Sequence, residues 1–541
     1  MKKILYSIIL LLFGITSCNK LELTPLDKLS EADTWTDQDL IQLYVNATYN
    51  TLLHGFQQDL LSAACDEAYN IHNWTNLRII QRGELTADNV GGIGSKVNYF
   101  IFAYNNIRNI NTFFTKIEEA PVDEIFKNNA IGEMKFLRAN LYANLIWRYG
   151  GVPIITNVFE LNDDFAVSRA SYDECVSFIV KELDEAIDLL PDNQVDEAKG
   201  RASANACKAL KARVLLYGAS LQNNPSHEIS KWQAAADAAE ALLNAGYELH
   251  PDYQSTFLTD NEEIIFARYF TQANNTNFNL EQGRNGSDGY SGHNPTQNLV
   301  NAYEMVATGE LPYIEQPDGS LVLNPRSGYD PNNPYIGRDP RFEASILHDG
   351  SIWAGRETAS FHGGSDSPEG VSGWNASLTS YFLKKFIVED IPPAGSTLKP
   401  TNPWIFFRYA EVLLNYAEAK FELGDEATAR QYLNMIRARE SVEMPAVTDS
   451  GEQLRKRIQN ERRVEFAFEE HRFFDVRRWK IANITENKDL QGMNIQKSGN
   501  TKTYTISRVI DRVFNDANYL VPFPRAEIDK SIGSLTQNPG Y

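Results

Sequence analysis

Cysteine is scarce in this chain: Cys18, Cys65, Cys175 and Cys207 are the only four in 541 residues, and no two stand in a CxxC. That spacing excludes a zinc ribbon and a thioredoxin-type redox pair. Histidine is nearly as sparse, with eight residues and no pair at metal-ligand spacing. The sequence has no GxSxG, no HExxH and no P-loop, which removes the serine nucleophile elbow, the zincin helix and the nucleotide cradle. Basic charge is also short. Lys and Arg number 51 against 71 Asp and Glu, giving a formal charge of −20. Nucleic acid is excluded as a partner on that balance, since phosphate contacts need clustered cations.

What is present is ample apolar material. Hydrophobic residues make up 43% and aromatics 11%, with an ordinary 23% charged, enough for one large domain or two modest ones. The N-terminus, MKKILYSIILLLFGITSC, sets Lys2 and Lys3 before an apolar run from Ile4 to Ile15. This is a secretory signal whose apolar core, about fifteen residues, is short for a permanent span. Ile15-Thr16-Ser17-Cys18 resembles the bacterial lipobox, which implies cleavage after residue 17 and acylation of Cys18. Residue 19 is Asn, so the usual inner-membrane retention signal is absent. Cleavage removes Lys2 and Lys3 and shifts the formal charge by two, from −20 to −22. Residues 18–35 are expected to form a lipidated polar tether containing Pro25.

From about 36 to 265 the pattern is helical. Met134, Leu137, Leu141 and Leu145 recur three and four apart until Gly150-Gly151 stops the run. Ala206, Leu210, Val214 and Tyr217 form a second stripe, Cys175 and Cys207 sit in helical patterns as small apolar residues, and WQAAADAAEALLNAGYEL is a third helix ended by Gly246. Small residues such as Ala235, Ala238 and Ala239 allow close helix approach. Such pairs resemble tetratricopeptide units, though without a clean 34-residue repeat. A second helical block is predicted over about 405–480, where FFRYAEVLLNYAEAKFELGDEATARQYLNMIRARE reads as a hairpin turning at Gly424-Asp425. Between the blocks, about 270–402 is rich in Gly, Asn, Ser, Pro and aromatics, a composition of long functional loops rather than disorder. SYFLKKFIV there suggests a minor strand, and residues 481–541 form a C-terminal segment. The fold class predicted is mostly α: tetratricopeptide-like helix pairs forming a scaffold, long irregular loops and a few minor strands.

A series of segments carries a family likeness from end to end: SCNKLELTP, FLRANLYANLIWRYGGVPII, ALKARVLLYGAS, RDPRFEASILHDG, RYAEVLLNYAEAKFELGDEATARQYLNMIRAR, ERRVEFAFEEHRFFDVRRW and the closing YLVPFPRAEI with QNPGY. In this order they resemble the SusD/RagB family of outer-membrane nutrient-binding lipoproteins. The resemblance implies a single SusD-like domain over 36–541, exposed on the cell exterior and held to the outer membrane by its lipid. It also implies a partnership with a SusC-like TonB-dependent transporter, to which glycan oligosaccharides are delivered without catalysis or cofactor. The chain departs from the family at AYEMVATGELPYIEQPDGS, which is altered and longer than the usual Tyr-x-x-x-Asp-Gly run.

Two stretches carry candidate chemistry. ERRVEFAFEEHRFFDVRRW crowds carboxylates around His471. On one helix, Glu461, Glu465 and Glu469 would share a face and repel unless cations lie opposite. Arg462, Arg463, Arg472, Arg477 and Arg478 can supply them, with Glu411 or Glu418 as bidentate partners. Neutralising arginine lowers carboxylate pKa, the reverse of what a glycosidase acid needs, so these residues are expected to brace a scaffold. Sugar binding instead asks for an exposed aromatic platform with amides nearby. Trp147, Trp232 and Trp479 lie in helices and are assigned to the core, and Trp404 to packing. DEAYNIHNWTNLR sets Trp74 among Asn70, Asn73, Asn76 and Arg78, with Asp66 upstream. The loop region adds Tyr290, Trp353, Arg356, Trp374 and Tyr381. These are the candidate ligand residues. No metal site is expected, since the Asp330-Pro-Asn332-Asn333 run lacks the Gly and terminal Glu of a calcium loop. The competing readings are a tetratricopeptide lipoprotein that binds peptide or protein, and a glycoside hydrolase.

Overall fold

A computed structural model describes residues 31–541 except 58, 161, 164–165 and 317–318. The signal segment, Cys18 and most of the tether lie outside the described residues. No described helix is long and apolar enough to cross a membrane.

The scaffold is a stack of antiparallel helices with capped ends. Asp123 opens the Glu124–Tyr149 helix by accepting from the amides of Ile125 and Phe126 at 2.9 and 3.1 Å. Gly150, at φ 74°, ends it in a conformation that favours glycine. Ser171 and Glu174 form a reciprocal capping box on Tyr172–Ile187, and Ser203 caps Ala204–Ala219. Each helix packs on the next through Ile229–Glu240, where buried Ala235, Ala236 and Ala239 permit close contact. The next layer is then Tyr409–Glu422, followed by Glu426–Arg437. Residues 250–404 therefore leave the stack between two of its consecutive layers. Cys175 and Cys207 are buried within it.

The point of departure is closed by a β ladder. Ile264–Arg268 pairs antiparallel with Trp404–Arg408, with Arg268 opposite Trp404 and Ile264 opposite Arg408. This corrects the predicted start of the second helical block, since the helix begins at Tyr409 and WIFFR is a strand. β-Branched and aromatic residues favour a pleated, half-buried surface when a partner strand is available. The other strands also form two-stranded pairs, including Ala68–Asn70 with His293–Pro295, and Ile346–Leu347 with Phe382–Leu383 from SYFLKKFIV. One hydrophobic cluster fills the helical stack and a second fills the loop-rich part, and Phe406 packs against both.

Buried charge joins the two parts. ERRVEFAFEEHRFFDVRRW is two helices, Gly451–Glu465 and Arg472–Arg478, separated by a turn in which Phe468 and Glu470 take φ of 64° and 67°. Glu461, Glu465 and Glu469 still converge, but on cations from elsewhere. Glu465 meets Arg341, Arg408 and Arg439 at 2.9, 2.7 and 2.9 Å. Glu461 meets Arg341 and Arg437, and Glu469 meets Arg408 and Lys385. The stretch's own arginines point outward from this cluster: Arg463 and Arg472 to Asp66, and Arg478 as a fork to Glu418 at 2.5 and 2.7 Å. Glu411 pairs with Arg213.

Candidate functional site

Three separated segments bring aromatic rings together at one place. The first is the turn after strand Ala68–Asn70. The Asn70 side-chain oxygen accepts from the amides of His72 and Asn73 at 2.8 and 3.0 Å, and its amide nitrogen donates to Asp59. Arg78 lies over the Tyr69 ring and donates to the carbonyls of Asn70 and Ile71 at 2.9 and 2.6 Å. Asn73 and Asn76 take φ of 50° and 60°, a region that asparagine tolerates better than most residues. This tight geometry holds the Trp74 indole parallel to the His72 imidazole, with centroids 4.9 Å apart and planes 10° apart.

The second segment brings Tyr290. Its carbonyl lies 2.8 Å from His72 Nε2. A carbonyl only accepts, so that nitrogen carries the proton and the ring is fixed in one orientation. The third segment brings Trp374, which is 75% exposed. His72 lies edge-on to Tyr290 and Trp374 at 6.2 and 5.8 Å, and Tyr290 and Trp374 are 6.5 Å apart. Ser291 and Ser372, beside these two rings, have φ of 46° and 47°. Left-handed serine costs about 1–2 kcal/mol per residue and persists only where its surroundings enforce it, a hallmark of ligand-clamping segments.

Arg356 braces this arrangement. It forks onto Asp366 at 2.7 Å through both terminal nitrogens and donates to the Ser287 hydroxyl at 3.0 Å. Asn285 donates to the Val371 carbonyl at 2.7 Å, and Leu378 N donates to Asn294 at 3.0 Å. The loop carrying Trp374 is thereby tied to the turn carrying Tyr290.

Burial withdraws four of the predicted residues from the surface. Asp66 is an internal counter-ion. Burial alone would raise its pKa, but Arg463 and Arg472 outweigh that and hold the carboxyl below the usual carboxylate range. Asn70 is buried and shapes the turn from beneath. Trp353 packs in the loop-side core under the Lys384 ammonium, and buried Tyr381 donates to Gln297 at 2.6 Å. Asn73 and Arg78 are half-buried turn-formers whose hydrogen bonds are largely internal. Trp74, Tyr290 and Trp374 remain as a cluster of rings around His72, with Trp374 exposed and the other three half-buried. His72 was missed in the sequence, where an isolated histidine two residues from Trp74 carries no distinguishing signal.

Gly292 gives a test of the packing. A Cβ there would lie 2.9 Å from both the Glu281 carbonyl and the Trp74 ring. Gly292→Ala is therefore expected to displace the indole while leaving every ring present, weakening ligand binding about tenfold. Calorimetry checks this, and binding within twofold of the parent chain would show that the ring position is immaterial.

Residues 262–541 match the SusD family, and residues 26–216 match the family described as starch-binding, associating with outer membrane. A solved SusD-like protein from Bacteroides fragilis superposes with a TM-score of 0.78 at 32% identity, covering 96% of this chain and 100% of that one. A solved SusD-like carbohydrate-binding protein from the same species has a TM-score of 0.75 at 25% identity, covering 92% and 98%. A laminarin-binding SusD-like protein shares the fold with a TM-score of 0.64 at 24% identity, covering 93% and 99%. Among curated sequences, a SusD-like protein of Formosa agariphila is 24% identical over the full length of both chains.

Proposed function

Because this chain belongs to the SusD family, we propose that it binds glycan oligosaccharides on the outer face of the outer membrane. On this reading Cys18 carries the lipid anchor, a SusC-like TonB-dependent transporter receives the ligand, and no bond of the glycan is broken.

The observation that carries the reading is the convergence of Trp74, Tyr290 and Trp374 around His72. A sugar ring offers an apolar face bordered by hydroxyls, and stacked aromatic planes remove that face from water while the rim stays wet. Fixed rings add little ordering cost on binding. The carbohydrate-binding and laminarin-binding relatives support the ligand class. The rival hydrolytic reading places chemistry on Glu465. Burial favours its neutral acid, but Arg439, Arg408 and Arg341 outweigh burial and keep it ionised, so it holds no proton to donate.

Trp74→Ala combined with Trp374→Ala is expected to weaken oligosaccharide binding about a hundredfold, from the loss of two stacking faces worth about 0.5–1.5 kcal/mol each together with the apolar area they bury. The measurement is calorimetry on residues 19–541 with a panel of neutral oligosaccharides. Unchanged binding in the double variant would remove the ring cluster from the site. Release of shorter sugars by the purified chain would overturn the non-catalytic assignment.

A further inference from the structure

The chain on either side of Trp74 is held by one buried carboxylate. Asp59, 5% exposed, accepts from the Asn70 side-chain amide through one oxygen and from the Thr75 hydroxyl through the other. The Asn70 end allows no alternative. Its own oxygen is taken by the amides of His72 and Asn73, so only its NH2 can face Asp59. The Thr75 end is tight as well. Gly94 N donates to the Thr75 carbonyl at 3.1 Å, and a Cβ on Gly94 would lie 2.7 Å from the Thr75 Cβ. The stacked His72 and Trp74 rings stand on the backbone between these two grips.

The hold depends on charge. Hydrogen bonds to an ionised carboxylate are roughly twice as strong as neutral ones. A proton on Asp59 would set a donor against the Asn70 NH2, or turn the Thr75 hydroxyl round to accept it. The surrounding groups leave this carboxylate without a direct ion pair. His293 Nε2 lies 3.6 Å away but accepts from Leu60 N at 3.1 Å, and burial, helped by Lys96, pushes that imidazole down to about 3. Lys96 attracts the Asp59 charge from a distance while its ammonium sits on Glu470 at 2.6 Å, and Glu470 and Glu281 repel it. Burial outweighs Lys96 and the hydrogen bonds and lifts the Asp59 carboxyl to about 6. Asp59 also lines an open concavity of about 490 Å³, shared with His54 and Arg268, through which solvent protons reach it. Burial keeps His54 neutral there, down to about 3.

We propose that Asp59 is a positioning residue of the ring platform: its charge fixes the turn that presents His72 and Trp74, and the hold on glycan loosens when it takes up a proton. The proposal rests on the reading of the rings as a glycan platform.

The probes are maltoheptaose, laminarihexaose, xylohexaose and mannohexaose, which carry no titrating group, measured calorimetrically on residues 19–541 from pH 5 to pH 7.5. The best-binding probe is expected to weaken about fivefold from pH 7.5 to pH 5, as the competent fraction falls with protonation of Asp59. Asp59→Asn is expected to bind about five- to tenfold more weakly than the parent chain at pH 7.5 and to show no such slope. Thr75→Val keeps the side-chain shape and removes one donor to the carboxylate, so its acid limb moves to higher pH, a shift that a merely structural role would not produce. Parent affinity constant within twofold across the range, or an acid limb that survives in Asp59→Asn, would overturn the proposal. A limb abolished in His72→Gln would assign the titration to the imidazole and overturn it equally. The Trp74 indole N–H resonance, identified by its loss in Trp74→Phe, reads the turn with no glycan present. It is expected to move with a midpoint near pH 6 in the parent chain and to stay fixed in Asp59→Asn. If the Trp74→Ala, Trp374→Ala chain binds like the parent, or no probe binds, the platform reading fails; a resonance that does not move in the parent sinks the role of Asp59 by itself.

Discussion

Glu465→Ala is expected to cost about 3–5 kcal/mol of stability, the range for breaking a buried ion pair by removing one partner. Glu465 is fully buried and shared by Arg341, Arg408 and Arg439, which come from the loop-rich part, strand Trp404–Arg408 and the segment that follows helix Glu426–Arg437. Its loss leaves Arg439 with Glu263 alone, a buried carboxylate that it shares with Arg408, while Arg408 keeps Glu469 as well. The cation excess then stands in a low-dielectric interior where water cannot screen it. The sign with pH follows from the depressed carboxyl. Its contribution is present above the ordinary glutamate range and is lost as acid protonates it. Denaturant unfolding at neutral pH, followed by fluorescence, gives the measurement. A change below about 1 kcal/mol would put this residue in the class of surface pairs, and Glu465 would not be a shared counter-ion of the fold. A chain that folds with ordinary stability yet loses a glycan-cleaving activity would instead revive the catalytic reading.

The same cluster shows what a linear sequence conceals. That the carboxylates of ERRVEFAFEEHRFFDVRRW would be neutralised was legible, because five arginines stand beside them. The partners of Glu461, Glu465 and Glu469, which are Arg341, Arg408, Arg437, Arg439 and Lys385, lie outside the stretch, whereas Asp475 is met by the stretch's own Arg462 and Arg478. Which cation meets which anion is a tertiary fact that spacing does not encode. The break between the two helices was equally hidden, since Phe468 and Glu470 are not residues that normally signal a left-handed turn. WIFFR abuts the strongly periodic YAEVLL and was absorbed into its helix, although its partner strand lies about 140 residues earlier.

In the loops, composition located the site and could not sort its members. Trp74 and Trp374 lie in asparagine- and glycine-rich turns and reach the surface. Trp353 and Tyr381 lie in stretches of similar composition, in and beside short strands, and are buried. Irregular backbone has no period from which to tell an anchor from a platform. The sequence also gave no hint that Tyr290 and Trp374 would meet around His72, since their segments are joined by contacts such as Arg356 to Asp366 and Ser287.

A further carboxyl, Glu67, shows the opposite electrostatics to Glu465 and is expected to set a pH slope. It is 1% exposed, and neither oxygen has a hydrogen-bond partner among the described residues. Burial and the neighbouring Asp66 charge raise its pKa to about 8, against the opposing pull of Arg472 and Arg463. The folded chain thus keeps this proton at pH values where the unfolded chain has released it. Stability is fully present below the unfolded value of 4.5 and drains away as pH rises toward 8. The full loss is on the order of 5 kcal/mol, at 1.36 kcal/mol for each pH unit between the two values, and about 3–4 kcal/mol of it falls between pH 5 and pH 8. Other raised carboxyls, Asp59 and Glu133 among them, slope the same way, so the parent chain alone does not isolate the effect. Glu67→Gln does, because glutamine keeps the shape of the neutral acid and cannot ionise. Unfolding free energies at pH 5 and pH 8 should therefore fall less steeply in the variant, by that amount. Parallel slopes for the two chains would mean that water or a rearranged arginine reaches Glu67 in solution, and that its isolation beside Asp66 is not part of the folded state.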